Sequence, residues 1–537
     1  MKKVFALILA ALMVLSLAAC KKPTPTPAPQ SSQAPQTQPG GETDPAKPSE
    51  DPTPAIEKPT EISVIVNGTW PDAATGALDA FVKKQEELTG IKIKLTKPDH
   101  SSYDDVLGQV IASGEWPDVI YTCEPYYSSW AQQGVFWDMT EAFEASDLYQ
   151  RAVEAGSISS FKSEYLNGHM YGLPVKRGNG AVTYIKKAWL DAVGLDAPTN
   201  WEEYLAVLEA FSTKDPDGNG IDGDTYGVSA SKFIQTEPPY IMYLPEVWQD
   251  AYPYFVQKED GTWVDGFLED NCKEALERMN YIYEKGYLDP DTLNNATQNC
   301  RDKFYDNGPG SFGVFTYWAC NWAYKLKLGL EEKGVDSELI ACEPIKEVKD
   351  AGGYIDRVSY VWCISSKAKN PEGIWEYYVS KILDGGEMQF LWTWGPEESY
   401  WSTKAETVQG VEYKEGEFHM LENPDNNTLY VNAHIDPTGQ LVPITNSIIP
   451  DPSATVISKE AYDCMLMFNE NSRGASITPP TDAGAEYNGE IVSKKNELIA
   501  KIAMGEYTLE EAYAEYKNGG YEDHAAEIVE QLNALGK

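Results

Sequence analysis

Residues 171–224 read YGLPVKRGNGAVTYIKKAWLDAVGLDAPTNWEEYLAVLEAFSTKDPDGNGIDGD. Just ahead of them, Asn167-Gly168 is a pair that accepts the positive φ of a tight hairpin turn. Pro174 biases Leu173 away from helical backbone, so Tyr171-Gly-Leu-Pro174 is extended. A helix is predicted from about Ile185 to Val193, with Gly194 as its stop. Thr199-Asn-Trp-Glu202 reads as a capping box, in which Thr199 and Glu202 satisfy each other's orphan amides. Behind it Trp201, Tyr204, Leu205, Leu208 and Phe211 recur at helical spacing and form one apolar stripe.

The stretch ends on Asp215-Pro-Asp217-Gly-Asn219-Gly-Ile221-Asp222-Gly-Asp224. Ca²⁺ takes roughly six to eight oxygen ligands, and Asp215, Asp217, Asn219, the Ile221 carbonyl and Asp222 or Asp224 can supply most of them. A helix-loop-helix hand needs a Glu where Tyr226 stands, so a regular hand is excluded. Two readings remain: a calcium clip between elements, or an Asx-rich turn that binds nothing.

The order YGLP, then YIKKAWLDAVGLDAPTNWEEY, then DPDGNG resembles the extracellular solute-binding proteins of bacterial ABC importers, in particular their carbohydrate-type lipoprotein branch. The resemblance implies an α/β, two-lobed periplasmic-binding-protein-like fold of type II, with a ligand cleft between lobes joined by hinge strands. It implies that Tyr171–Pro174 is a lobe crossing and that the DPDGNG loop is the branch's shortened calcium loop. Residues 496–516 match a C-terminal helical segment of the same proteins. The expected partners are a carbohydrate ligand and ABC permease subunits, with the chain acting as a monomer.

At the start, Lys2 and Lys3 precede an apolar run from Val4 to Leu17, too short for a stable membrane span and shaped as a secretory signal. Leu17-Ala-Ala-Cys20 resembles a bacterial lipobox, which implies cleavage before Cys20, diacylglycerol on its thiol, and a place on the outer face of the cell membrane. Residues 20–59 turn to Pro, Thr, Gln and Ser, a composition that cannot offset its own ordering entropy, and read as a disordered tether. The rest is enough chain for two cores. The first lobe is expected over 60–174 plus about 354–405, and the second over 175–353 plus about 406–537.

From Ile62 to Tyr121 the pattern is strand, helix, strand, helix, strand, which argues a parallel sheet. Ligands of such sheets bind beyond the carboxyl ends of the strands. The loops there hold Asn67, Trp70, Glu124, Tyr126, Tyr127 and Trp130. Later, a strand from Gly310 runs into Trp318 and Trp322, four apart and on one face if helical. Residues 358–365 read as the return strand after a second crossing near 353–357. Residues 392–401 hold Trp394 and Glu397 in a place where the lipoprotein branch has a Tyr-Gly-x-Glu-Gly motif, although the expected second Gly is absent.

The chain carries 15 Trp and 33 Tyr, a supply of flat faces on which the C–H faces of sugars stack. Trp70, Trp130, Trp318, Trp322, Trp394 and Tyr126 are the aromatic candidates. Asn67, Glu124, Lys176, Arg177 and Glu397 are the polar ones, although Lys176-Arg177 also reads as an exposed basic pair. Trp189 and Trp201 lie in helical stripes and are assigned to the core. A net charge of −40 argues against a nucleic-acid partner, which needs a clustered basic face. No HExxH, GxSxG, phosphate-binding loop or dinucleotide fingerprint is present, so no catalytic residue is assigned and a binding protein is favoured over a glycan-degrading enzyme. A surface sugar sensor or adhesion protein on the same fold, and a peptide ligand, stay open. Of eight Cys, the seven beyond Cys20 cannot all pair within one chain; most read as buried thiols, with one or two disulfides left open for an exported protein.

Overall fold

The computed structural model describes residues 56–535 except 68–75, 100–101, 125, 163–164, 167, 176–179, 232–242, 358–359, 409, 423–439, 446–457 and 476–477. The signal, Cys20 and nearly all of the expected tether therefore lie outside the described residues.

The alternation read from Ile62 onward is built. β1 (Glu61–Ile65), α1 (Ala77–Thr89), β2 (Lys92–Thr96), α2 (Tyr103–Ser113) and β3 (Val119–Thr122) follow in order, with α3 (Tyr126–Gln132) behind them. β1 runs parallel to both β2 and β3. Phe81 and Gln85 give α1 its buried face, and Gly90 ends it at φ 67°, a left-handed conformation open to glycine at little cost. The hairpin turn is also present: Leu166 and His169 bridge across it, with Gly168 at φ 84°.

β4 (Leu173–Pro174) closes the first sheet at its edge, where proline's missing N–H breaks no ladder. The chain then enters a second sheet through β5 (Ala181–Lys186), followed by α4 (Lys187–Val193), α5 (Trp201–Thr213), β6 (Tyr226–Ser229), α6 (Asp270–Glu284), β7 (Phe312–Trp318), α7 (Asn321–Glu332), β8 (Leu339–Ala341) and β9 (Tyr354–Asp356). It returns to the first sheet as β10 (Val361–Ile364) and continues to α8 (Glu387–Trp394). It then goes back to the second lobe for α9 (Lys459–Glu470), β11 (Ser472–Gly474), α10 (Asp482–Ala503), α11 (Leu509–Asn518) and α12 (Tyr521–Leu535). The sheet orders are β2-β1-β3-β10-β4 and β8-β5-β7-β6. β10 is antiparallel to both of its neighbours, and β9 pairs in parallel with β11.

Each sheet is buried on both faces. In the first lobe one face packs Phe81, Trp362 and Trp392, whose rings meet edge to face at 4.7 and 4.8 Å; the other packs Ile65, Tyr103, Ile120 and Cys363. In the second, all six residues of β5 are buried. Ile185, Phe211 and Val314 face one core, which Leu498, Tyr516 and Ile528 of the C-terminal helices complete. Val182, Tyr184, Phe315 and Tyr317 face the other.

Several boundaries differ from the sequence reading. Ile185 belongs to β5, because Val182, Tyr184 and Ile185 are claimed by the sheet before helix can begin. The cap of α5 is Asn200, whose Oδ1 accepts from Glu203 N at 3.0 Å. Glu203, not Glu202, reaches back to Thr199 N at 2.8 Å, so the box is shifted by one residue. The second crossing is 357–360, since Tyr354–Asp356 still pairs within the second lobe. Leu441, Val442 and Ile444 pack in the first-lobe core beside Phe418 and Met420. The first-lobe core thus takes in residues to about 445 rather than 405; the short paired strands described between 401 and 420 and the residues 441–444 carry no helical or strand period to mark them. All seven described cysteines are free thiols, and all but Cys123 are buried.

One buried carboxyl makes this fold pH-sensitive. Glu246 accepts from Thr183 Oγ1 at 2.5 Å through Oε1, while Oε2 has no partner. Burial pushes its pKa from 4.5 to about 7. Because the folded state binds the proton more tightly than the unfolded state, the contribution to stability is full below pH 4.5 and is lost as pH rises through 7. At about 1.4 kcal/mol per pH unit the loss amounts to about 3 kcal/mol. Glu246→Gln is expected to gain thermal stability on wild type as pH goes from 5 to 8; equal pH profiles for the two proteins would contradict this.

Candidate functional site

The carboxyl ends of β1 and β3 and the amino end of β10 lie together in the first sheet, and the carboxyl ends of β6 and β7 lie at the amino end of β5 in the second. The two crossings run between these ends. Gly180, closing the first crossing, sits against the second: a Cβ there would lie 2.2 Å from Ile355 O. Ala319 N, just past β7, donates to Gly180 O at 2.8 Å.

On the first-lobe side, the rings of Tyr121 and Tyr360 stack at 4.8 Å and 6°. Asn67, 4% exposed, places Nδ2 at 3.5 Å from Tyr360 Oη. Burial pushes the neighbouring Cys123 thiol up to about 12. Glu124 accepts from Ser128 Oγ at 2.7 Å through Oε2, while Oε1 is buried with no partner. Burial raises this carboxyl, against the hydrogen bonds from Ser128 and the charge of Arg357. An acid of this kind, with one oxygen unbonded, is suited to a ligand hydroxyl.

Arg357, in the second crossing, faces both lobes. Its charge reaches Cys123, Glu124 and Tyr252, and its guanidinium lies 5.6 Å from the centre of the Trp318 ring. Trp318 ends β7, half-buried, and its carbonyl accepts from Tyr184 Oη at 2.8 Å. The field around Tyr252 also includes Arg473 of β11.

The sequence candidates divide accordingly. Asn67, Glu124 and Trp318 are brought to the interlobe face. Tyr126 stacks on Trp130 at 4.8 Å, and Trp130 is 7% exposed within the first-lobe core, so Trp130 forms a wall and not a platform. Trp318 and Trp322 do not share a helix face: Cys320, at φ 61°, breaks the chain between β7 and α7. Trp322 is instead held by Tyr317, edge to face at 4.8 Å, and by Arg301 at 5.0 Å. Trp394 is 4% exposed and packs on Phe418 at 5.1 Å; a ring so enclosed cannot be a ligand platform, and that expectation is corrected. Glu397 is exposed and bridges Trp401 by backbone. Trp70, Lys176 and Arg177 lie outside the described residues. Sequence reasoning missed Tyr121, Tyr252, Arg357, Tyr360 and Arg473; for Arg357 and Tyr360 the signal was their place beside the return strand.

The acidic loop is a separate centre, in the second lobe. Asp215 accepts from Asn219 N and Gly220 N, both at 2.9 Å, through its two oxygens. Asn219 Nδ2 donates to Asp217 Oδ2 at 3.0 Å and to Asp224 Oδ2 at 2.8 Å, and its Oδ1 accepts from Ile221 N at 2.8 Å. Burial and the Asp215 carboxyl beside it raise Asp217. Asp224 Oδ1 is buried without a partner. Among the described residues no group of three or more Asp, Glu, His or Cys side chains is gathered to hold a metal ion. The donor types fit Ca²⁺, and the crowded carboxylates and the orphan oxygen are what a cation relieves, but the Asn219 amide must turn its oxygen inward. The loop is moored by Asn307, whose Nδ2 donates to Asp217 O at 3.0 Å.

Among the described residues no helix is long and apolar enough to cross a membrane. Lipoprotein LipO of Bacillus subtilis is 31% identical over 213 residues, 39% of this chain and 41% of that one. The fructooligosaccharide ABC transporter substrate-binding protein FusA of Streptococcus pneumoniae is 26% identical over 260 residues, 45% of this chain and 46% of that one. The chain thus spans less than half the length of these relatives. The crystal structure of the N-glycan transport solute-binding protein NgtS of Streptococcus pneumoniae superposes with a TM-score of 0.59 at 19% identity, covering 89% of this chain and 99% of that one, which shows the two-lobed fold. Residues 70–378, more than half of the chain, match the model of the bacterial extracellular solute-binding protein family, and the chain belongs to that family.

Proposed function

We propose that this protein is the substrate-binding lipoprotein of an ABC importer, that it captures a carbohydrate between its lobes, and that it hands the closed form to the permease. The observation that carries the reading is the convergence at the crossings of partly exposed aromatic rings (Trp318, and Tyr360 backed by the buried Tyr121) with Glu124, a polar group with spare bonding capacity. Aromatic faces take the C–H side of a sugar and the polar groups its hydroxyls. The relatives named for fructooligosaccharide and N-glycan point the same way. A ligand touching both lobes favours the closed arrangement by the contacts it makes only there. Capture without turnover is part of the proposal. Cys20 would carry the lipid, and two or three acyl chains suffice for a stable anchor.

Thermal-shift and calorimetric screens against oligosaccharides and peptides test the ligand class. A bound glycan at 100 times its Kd should stabilise by about 2.7 kcal/mol, and Trp318→Ala should weaken binding about tenfold or more. Cleavage of the glycan, or response to peptides alone, would sink the reading.

We also assign Ca²⁺ to the acidic loop, held by Asp215, Asp217, Asn219, the Ile221 carbonyl, and Asp222 or Asp224, as a structural clip. Calorimetric titration of chelated protein should show one site that Asp217→Asn abolishes, with a rise in melting temperature; silence at millimolar calcium refutes it. For the anchor, the full chain made in a bacterial host should partition into detergent, and Cys20→Ala should leave it in the aqueous phase. Equal partitioning would exclude lipidation.

A further inference from the structure

The chain has 83 acidic and 43 basic side chains, so an arginine without a carboxylate is unusual in it. Two lie on adjoining strand ends, Arg473 paired with Ile355 and Arg357 two residues further on, and both act on Tyr252. Arg473 is partly buried on β11, packed where its Cδ would lie 2.6 Å from a Cβ on Gly352, and its Nε is sealed from solvent with no partner. Desolvation disfavours its charge and outweighs the opposing fields of Tyr252 and Asp250. Asp250 is exposed and its Oδ2 already accepts from Asn271 at 3.2 Å. Arg357 has the Trp318 ring on one side and Glu124 within electrostatic reach. Among the described residues neither guanidinium has a hydrogen bond or an ion pair, and both act on the Tyr252 phenol.

A buried guanidinium donor left open costs folding free energy unless something occupies it. The guanidinium fork fits a carboxylate in two parallel hydrogen bonds, whereas neutral hydroxyls satisfy it poorly. Glu124 does not serve as that anion: Ser128 holds one of its oxygens, and neither oxygen comes within ion-pair distance of Arg357. An anion brought from outside would satisfy these donors next to an aromatic face.

We propose that the cleft selects an acidic oligosaccharide, one sugar of which carries a carboxylate that Arg357 and Arg473 bind while Trp318 takes the face of that sugar or its neighbour. The inference rests on the carbohydrate reading above and narrows it to uronate-containing glycans. Arg357 sits in the crossing and Arg473 on the second lobe, so an anion that draws the two together also acts on the hinge.

Isothermal titration of the full chain tests this, with oligogalacturonides, oligoalginates and aldouronic acids each compared with its methyl ester of the same length. At least one acid should bind tenfold or more tighter than its ester at low salt, with the preference shrinking as salt rises. Arg473→Gln and Arg357→Gln should each narrow the acid-to-ester ratio, and Arg473→Lys should restore part of it. The acid-to-ester comparison needs no variant and stands even where a variant fails to fold. An ester bound as tightly as its acid overturns the inference. If neutral oligosaccharides bind and none of the acids does, the inference falls and the carbohydrate reading stands; if neither class binds, both fall.

Discussion

The hydrogen-bonded insertion of β10 between β3 and β4 is the constraint on which the architecture depends. The first sheet cannot be completed until the chain has built β5 to β9 elsewhere and come back: Cys363 pairs with Ile120, and Trp362 with both Tyr121 and Leu173. Leaving out β10 would expose two strand edges and remove Trp362 from the centre of the core. A two-lobed molecule with adjacent crossings is thus a consequence of one strand's register. The close approach of Gly180 to the Ile355 carbonyl, which leaves no room for a side chain, holds those crossings side by side. The site lies beside the crossings because β10 starts there, with Arg357 and Tyr360 just ahead of it.

Buried polar groups divide the molecule into a rigid and a responsive part. In the second lobe Lys495 pairs with Asp265, to which Tyr516 Oη donates at 2.8 Å; the partners come from a hairpin and two C-terminal helices. Such a pair is weak evidence for stability but fixes one packing among many. Lys186 is different. Burial pushes it down to about 7, against the pull of Asp217 and Asp306, and its ammonium rests on the Trp189 ring at 4.4 Å. That lysine couples the acidic loop to the floor of the second sheet, so charge on the loop is felt by the core beneath it.

The opening α/β alternation was legible because its elements carry clean periods: Phe81 and Gln85 at helical spacing, Ile91 and Ile93 at strand spacing. Pro174 and Gly168 marked the first crossing through their own backbone limits. What could not be read depended on partners distant in sequence. Leu441 to Ile444 carry no period and belong to the first lobe only because Gln389 and the core around it receive them, with Gln389 Nε2 bonding Val442 O at 2.7 Å. Trp394 and Trp318 look alike as sequence, each an aromatic before a turn, yet one closes against Phe418 and the other stands at the hinge. Abundance of aromatics identified the chemistry, and tertiary packing alone decided which ring was free. Arg473 illustrates the same limit: its meaning comes from Tyr252 and from the lack of an ion pair among the described residues, neither of which is a local property.

The net charge of −40 does not forbid an anionic ligand, because the forces are short-ranged. Charges exposed on the surface are screened within about 10 Å at ordinary salt, so most of the excess acidity never reaches the cleft. Inside it, the groups among the described residues include two guanidinium ions, a carboxyl whose charge burial disfavours, and phenols. Desolvation strengthens the pull of the two cations on whatever enters, and it disfavours the charge of Glu124, a nearby carboxyl that would otherwise compete for them. A strongly acidic exterior is then compatible with a cleft that holds an anion. It can slow the approach of such a ligand without setting how tightly the closed site keeps it, because affinity among related complexes is decided mainly by the rate of escape.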